Sequence, residues 1–195
     1  MHGFMIGRRT VHRQLPSATE QGEVALRSIA LRLNDHARLD AADAAQSSSG
    51  RHGLGDMREL RHQNAIVDIV AIAESFTSNR LRSLVPSLSE NEVYTWNGRI
   101  KAWRRHASVE IATCSAWEAV NGFVEVRNAI QHGLGRLTNS QFSRRDEVLR
   151  AIRRSGAQLQ GDLVRLTSRQ VLDCASQCRE LISWLDMNAP EGLGV

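Results

Sequence analysis

Where runs of helical spacing begin along this 195-residue chain, a hydroxyl residue repeatedly stands three places before an acid or a glutamine. The pairs are Ser17 with Glu20, Ser89 with Glu92, Ser143 with Asp146 and Thr167 with Gln170. At a helix start such a pair satisfies backbone N–H groups that the first turn leaves without partners. With the apolar spacing between them, these signals point to an all-α fold, an up-and-down helical bundle. Helices are expected over 17–46, 56–83, 89–107, 111–132, from Ser143 to near Gly156, and from Thr167 to about the end of the domain at 188. Between the last two, Leu159 to Leu166 carries a Gly161-Asp162 turn between short apolar stretches, which predicts a small β-hairpin before the last helix.

Residues 1–16 read as a flexible basic arm ending at Pro16, 17–188 as one helical domain and 189–195 as a C-terminal tail. Ser47 to Gly55, rich in serine and glycine, is a loop. The stretch Ala65 to Ala73 is apolar but for Asp68 and covers nearly every direction of a helical wheel, so the second helix is the central one. Pro86 ends it. In the third helix Val93, Trp96, Ile100 and Trp103 have core spacing. The fourth stops at Gly133, read as a C-terminal glycine. The last carries the stripe Val171, Ala175, Cys178, Ile182 and Leu185. No apolar run reaches the roughly 18 residues of a membrane span, and the basic N-terminus lacks a signal-peptide core. A cytoplasmic chain without membrane contact is expected. Cys114, Cys174 and Cys178 are an odd set without framework spacing and read as small buried hydrophobes. Zinc would need two more ligands close by, so neither metal nor cofactor is expected.

The net charge is +4 and the pI about 9.6, which permits contact with nucleic acid without demanding it. Residues 99–154 alone sum to +6, so the basic excess sits in the third quarter of the chain. There, Arg127-Asn128-Ala129-Ile130-Gln131-His132-Gly133 closes the fourth helix. With Trp117 at 0°, Arg127 falls at about 280°, among Val120, Phe123, Val124 and Val126. A guanidinium keeps its proton, so a buried one must meet a carboxylate or line a cleft that receives an anion. Glu74, which points coreward from the second helix, is the natural carboxylate for Arg127 or His132. Asn128 and His132 are four apart and share one edge of the helix, so a cation, an amide and a titratable base gather at one terminus. A second arginine–histidine spacing, Arg99 to His106, lies on a basic helix and reads as chance on the surface. Arg104, Arg105 and Arg136 are candidate RNA contacts, against the plainer reading of a solvated face. The tryptophans have core spacing.

The arginine–polar–x–x–x–histidine pattern late in a bundle helix resembles the HEPN superfamily. The run from Trp117 to Val124, through Arg127 to Gly133 and on to Gly135-Arg136-Leu137-Thr138, is similar to its RiboL-PSP-HEPN branch. Ala73-Glu74-Ser75-Phe76 and the Gly161–Thr167 segment fit as well, so the likeness spans roughly 56–187 and is densest over 124–138. The resemblance implies a HEPN-like bundle, a homodimer with a composite site at the bundle interface, and metal-independent endoribonuclease activity. Toxin–antitoxin, phage-defence or RNA-repair settings, with an antitoxin or operon partner, go with it. By position Arg127, Asn128 and His132 inherit the catalytic motif, with Glu74 in support. Some relatives of this kind only bind, so a non-catalytic RNA- or protein-binding module is the alternative. A structural adaptor in which the motif is incidental is a third reading.

Overall fold

The computed structural model describes residues 19–47 and 54–190. The 1–16 arm, Ser17, most of the expected 47–55 loop and residues 191–195 of the tail lie outside them. In chain order the elements are α1 (Glu20–Ser47), α2 (Leu54–Leu84), α3 (Glu90–Val93), α4 (Trp96–Ala107), a 3-10 turn (Ile111–Thr113), α5 (Trp117–Gly133), α6 (Asn139–Phe142), α7 (Arg145–Arg154), β1 (Gln158–Gln160), β2 (Leu163–Arg165) and α8 (Ser168–Asn188). Among the described residues no helix is long and apolar enough to cross a membrane.

Side-chain bridges fix the direction of each long helix. Arg32 meets Asp68 at 3.3 Å and Arg58 meets Asp40 at 2.6 Å, so α1 and α2 are antiparallel. Thr19 donates to Asp186 while Ser168 donates to Asp40, which sets α8 antiparallel to α1. Arg80 beside Asp186 and His62 beside Leu166 make α2 and α8 parallel. Glu74 with Arg127, and Gln63 beside Gly135, set α5 antiparallel to α2. The result is an all-α up-and-down bundle of α1, α2, α5 and α8. Ile29, Ile66, Ile69, Val70, Phe123, Val126, Cys178, Leu181, Ile182 and Leu185 are completely buried in its centre. α2 is the central helix, packed against α1, α5 and α8, as its apolar stretch predicts, with Asp68 turned out to Arg32. The whole predicted α8 stripe is buried, and so are all three cysteines, which carry free thiols. Removal from water pushes the Cys174 thiol well above its usual range.

Local chemistry also explains where expectation and structure part. The helix expected over 89–107 is two. Ser89 and Glu92 form their reciprocal cap, but it opens the single turn of α3. Thr95 then starts α4, its Oγ1 accepting the Gly98 N–H at 3.0 Å. A Cβ at Gly98 would lie 2.6 Å from the Glu92 carbonyl oxygen, so the sharp corner needs glycine there. The segment expected as one helix from 111 is a 3-10 turn followed by α5 from Trp117. α5 ends through Leu134 in the left-handed region (φ 52°), not through Gly133. Ser143 does not start α7; Arg144 precedes that helix, and Ser143 closes α6. α6 has its own box, in which the Gln141 N–H donates to Thr138 Oγ1 and the Thr138 N–H to Gln141 Oε1. α1 begins at Glu20, where Thr19 Oγ1 accepts the Gly22 N–H at 3.1 Å. The hairpin lies where expected, antiparallel, with Gly161 at φ 68° in its turn.

Candidate active site

Arg127 leaves α5 toward α2, and its Nη2 donates to Glu74 Oε1. Arg99, from the first turn of α4, reaches the same oxygen at 3.2 Å and donates from Nε to Ser78 Oγ at 2.7 Å. Arg127 Nη1 donates to Gln131 Oε1 at 3.1 Å, while its Nε is buried without a hydrogen-bond partner among the described residues. The side chains of Arg127, Arg99 and Glu74 are 16%, 14% and 11% exposed. One carboxylate thus answers two guanidinium groups, and this nearly buried cluster keeps a net positive charge. Burial pulls the Arg99 guanidinium below its ordinary value, Glu74 opposes the shift, and the charge on Arg127 adds to it. Ser78 and Arg99 also line a groove of about 330 Å³ with Ser75, Asn79, Arg82 and Tyr94, so the cluster is not sealed from solvent.

The surface reading of Arg99 is therefore corrected. The corner at Thr95 aims α4 so that Arg99 enters the α2–α5 seam, and its former partner in spacing, His106, meets Glu92 at 2.9 Å instead. That contact, with the Ser89 hydroxyl and N–H, holds the Glu92 carboxyl down at about 2. A signal for Arg99 existed in the sequence: it stands four residues before the fully buried Trp103 and shares that face.

Asn128 and His132 point elsewhere. Together with Thr138, Asn139, Ser140, Gln141 and Arg144 they line a groove of about 380 Å³ between the end of α5 and α6. Among the described residues neither the Asn128 amide nor the His132 ring has a hydrogen bond or ion pair, and the ring is exposed. Two devices hold the facing wall. Gln141 Nε2 donates to the Glu125 carbonyl at 2.9 Å and to its carboxylate at 2.8 Å, and Arg144 meets that buried carboxylate at 2.7 Å. Beyond His132 the chain reverses at Leu134 and lies alongside β2. Val164 donates to the Gly135 carbonyl at 2.8 Å, and Leu137 donates to Asp162 at 2.9 Å. The wall is thereby fixed while the imidazole stays at the mouth.

Arg127 and His132 do not converge within one chain. Five residues of α-helix turn through about 500°, which leaves them about 140° apart around the axis. The structure brings Arg127 to Glu74 and Arg99, and Asn128 and His132 to Arg144. Sequence reasoning missed Arg99, Arg144, Gln141 and Glu125. The Thr138–Gln141 spacing, the same cap signal read elsewhere, would have placed Gln141 at the start of a helical turn.

The three surface candidates are paired. Arg104 donates to Glu110 at 2.5 Å, Arg105 lies 3.8 Å from Glu92, and Arg136 donates to Asp162 at 2.5 Å. All three remain largely exposed. Of the tryptophans, Trp96 and Trp103 are buried; Trp117 and Trp184 are half-buried, and Trp117 stacks on Trp96 at 5.7 Å. Compared with protein-family models, curated proteins and solved structures, the chain matches none.

Proposed function

We propose that this chain is a metal-independent endoribonuclease of the HEPN kind, working as a homodimer in the cytoplasm, with an antitoxin or operon partner as its restraint. The observation that carries the reading is His132: an imidazole with no partner among the described residues, at the mouth of a groove it shares with Asn128 and Arg144. An imidazole is suited to moving protons near neutral pH. The reaction is attack of an RNA 2′-hydroxyl on the adjacent phosphorus. The hydroxyl proton passes to a base, the O2′–P bond forms, the P–O5′ bond breaks, and an acid protonates the leaving oxygen. Products end in a 2′,3′-cyclic phosphate and a 5′-hydroxyl. His132 serves as base or acid, Asn128 orients the phosphate or the ring, and a guanidinium offsets charge on the phosphorane. Base and acid act on opposite sides of the phosphorus, and one chain supplies one such histidine. A two-fold pair supplies the second, and with it a second Arg127.

A single observation favours the binding-module reading: Arg127 is held by Glu74, as a structural arginine would be. The variant His132→Ala separates the two. On the nuclease reading the native chain yields cyclic-phosphate ends in the presence of EDTA, and the variant loses at least a hundredfold in rate with an unchanged helical spectrum. A native chain that binds RNA without cutting it establishes the module instead. Cleavage that stops with EDTA and returns with magnesium refutes the proposed chemistry.

A further inference from the structure

Ion pairing redraws the basic surface. Between residues 99 and 154, Arg99 and Arg127 share Glu74; Arg104, Arg105, Arg136, Arg144 and Arg154 face Glu110, Glu92, Asp162, Glu125 and Glu118. The cations of this stretch with no ion pair among the described residues are Lys101, Arg145, Arg150 and Arg153, and three of the four stand on α7. With Arg145 at 0°, Arg153 falls at about 80° and Arg150 at about 140°, away from the buried Val148 and Ala151 at about 300° and 240°, with the buried Ile152 bordering the arc beside Arg145. All three arginines are exposed. Asp146 shares the arc, in the first turn where a carboxylate suits the helix dipole.

The same face has an apolar floor. Arg145 and Arg153 border a groove of about 490 Å³ with Leu149, Ala157 and Leu159. At its edge stands Phe142, 43% exposed, with the Arg145 guanidinium 6.0 Å from the ring centre. Phe142 follows Gln141, which lines the His132 groove, and Arg144 and Arg145, neighbours in the chain, line one groove each, so α6 and the start of α7 run between the two.

We propose that α7 and Phe142 form the track for the single-stranded RNA that flanks the cleavage position. Arg145, Arg150 and Arg153 engage its phosphates, and Phe142 offers a face to one base. A duplex hides its base faces, whereas an unpaired strand presents phosphates and flat apolar rings together, which is the chemistry this surface matches. This inference rests on the nuclease reading and names the substrate form that the His132 site receives.

The test uses the full chain carrying His132→Ala, so that RNA stays intact, and a fluorescent 12-nucleotide RNA of unstructured sequence. Arg145→Gln, Arg150→Gln and Arg153→Gln together are expected to raise Kd at least tenfold at 0.1 M salt. Three lost phosphate contacts should flatten the log–log salt dependence by about 2, at roughly 0.7 per contact on a single strand. The triple arginine-to-lysine variant should keep that slope. Phe142→Ala should weaken binding severalfold with the slope unchanged, since stacking releases no counterions. Helical spectra of the exposed variants check the fold. An unchanged Kd and slope in the glutamine triple overturns the track, as does tighter binding of the same sequence as a duplex, of an acidic peptide in its place, or no RNA binding at all. Failure of the nuclease reading looks different: the native chain leaves RNA uncut while the arginine dependence of binding persists.

Discussion

Glu74→Gln is the sharpest test of the charge arrangement. The carboxylate touches both Arg127 and Arg99, and all three side chains are more than four-fifths buried. Removing one member of a buried ion pair costs about 3–5 kcal/mol, because the surviving charge is left without compensation. Here two like charges survive, but the amide oxygen still accepts one of the lost hydrogen bonds, so the expected loss is about 2–4 kcal/mol. For a chain of this size that lowers Tm by roughly 5–12 °C. Arg99→Gln should cost far less, about 1 kcal/mol, because it leaves Glu74 matched one to one with Arg127. The double variant should recover part of the Glu74→Gln loss. Urea denaturation and calorimetry on the three variants measure all of this, with m-values compared to verify a common unfolded state. If Glu74→Gln costs no more than Arg99→Gln, the cluster is not a carboxylate-limited pair of cations and the reasoning fails.

Gly122→Ala should destabilise by about 1–3 kcal/mol, since a Cβ there collides with the Ala151 carbonyl and forces α7 off α5; chemical denaturation reads it. Leu134→Gly should stabilise by about 0.5–1 kcal/mol, because a 92% exposed leucine is held at φ 52° and glycine adopts that region freely; an unchanged or lower Tm counts against the strain. Stability should fall in two stages on acidification. His36 is depressed by burial and by His62, whose ring centre is 5.2 Å away, with Asp40 opposing and Arg58 adding. The unfolded chain therefore binds the proton first, and this loss begins as pH drops through about 6.5. Asp40, held at about 2 chiefly by its hydrogen bond from Arg58, adds its loss between about pH 4 and 2. His36→Gln should remove the first stage from a pH series of unfolding midpoints and leave the second.

What the sequence made legible was local. Capping pairs and apolar period are decided within a turn or two, and they located the long helices and the hairpin within a few residues. Two failures share one cause. The corner at Thr95 and the one-turn α6 are too short to show a period, so a continuous helix was expected across the first and a loop over the second. The coreward direction of Arg127 and Glu74 was legible because each sits inside an apolar arc of its own helix. That Arg99 joins them was not, because it depends on how α4 leaves the corner, a tertiary property with no period of its own.

The gathering of Arg127, Asn128 and His132 at one helix end looked like one site because sequence distance was short. Rotation decides otherwise: four residues keep Asn128 and His132 on one edge, and five carry Arg127 to another. Glu74 then fixes which way Arg127 faces, and the reversal at Leu134 fixes how far His132 stands from the bundle. A single chain therefore carries a nearly buried arginine pair on one side of α5 and a groove with an exposed imidazole on the other. A metal-free cut at phosphorus asks for charge and two proton carriers around one atom. On the proposed reading, the division of these parts around α5 is itself the reason a second copy is required: each chain's groove holds Arg144, already bound to Glu125, and one imidazole, and lacks the second imidazole that its partner would bring.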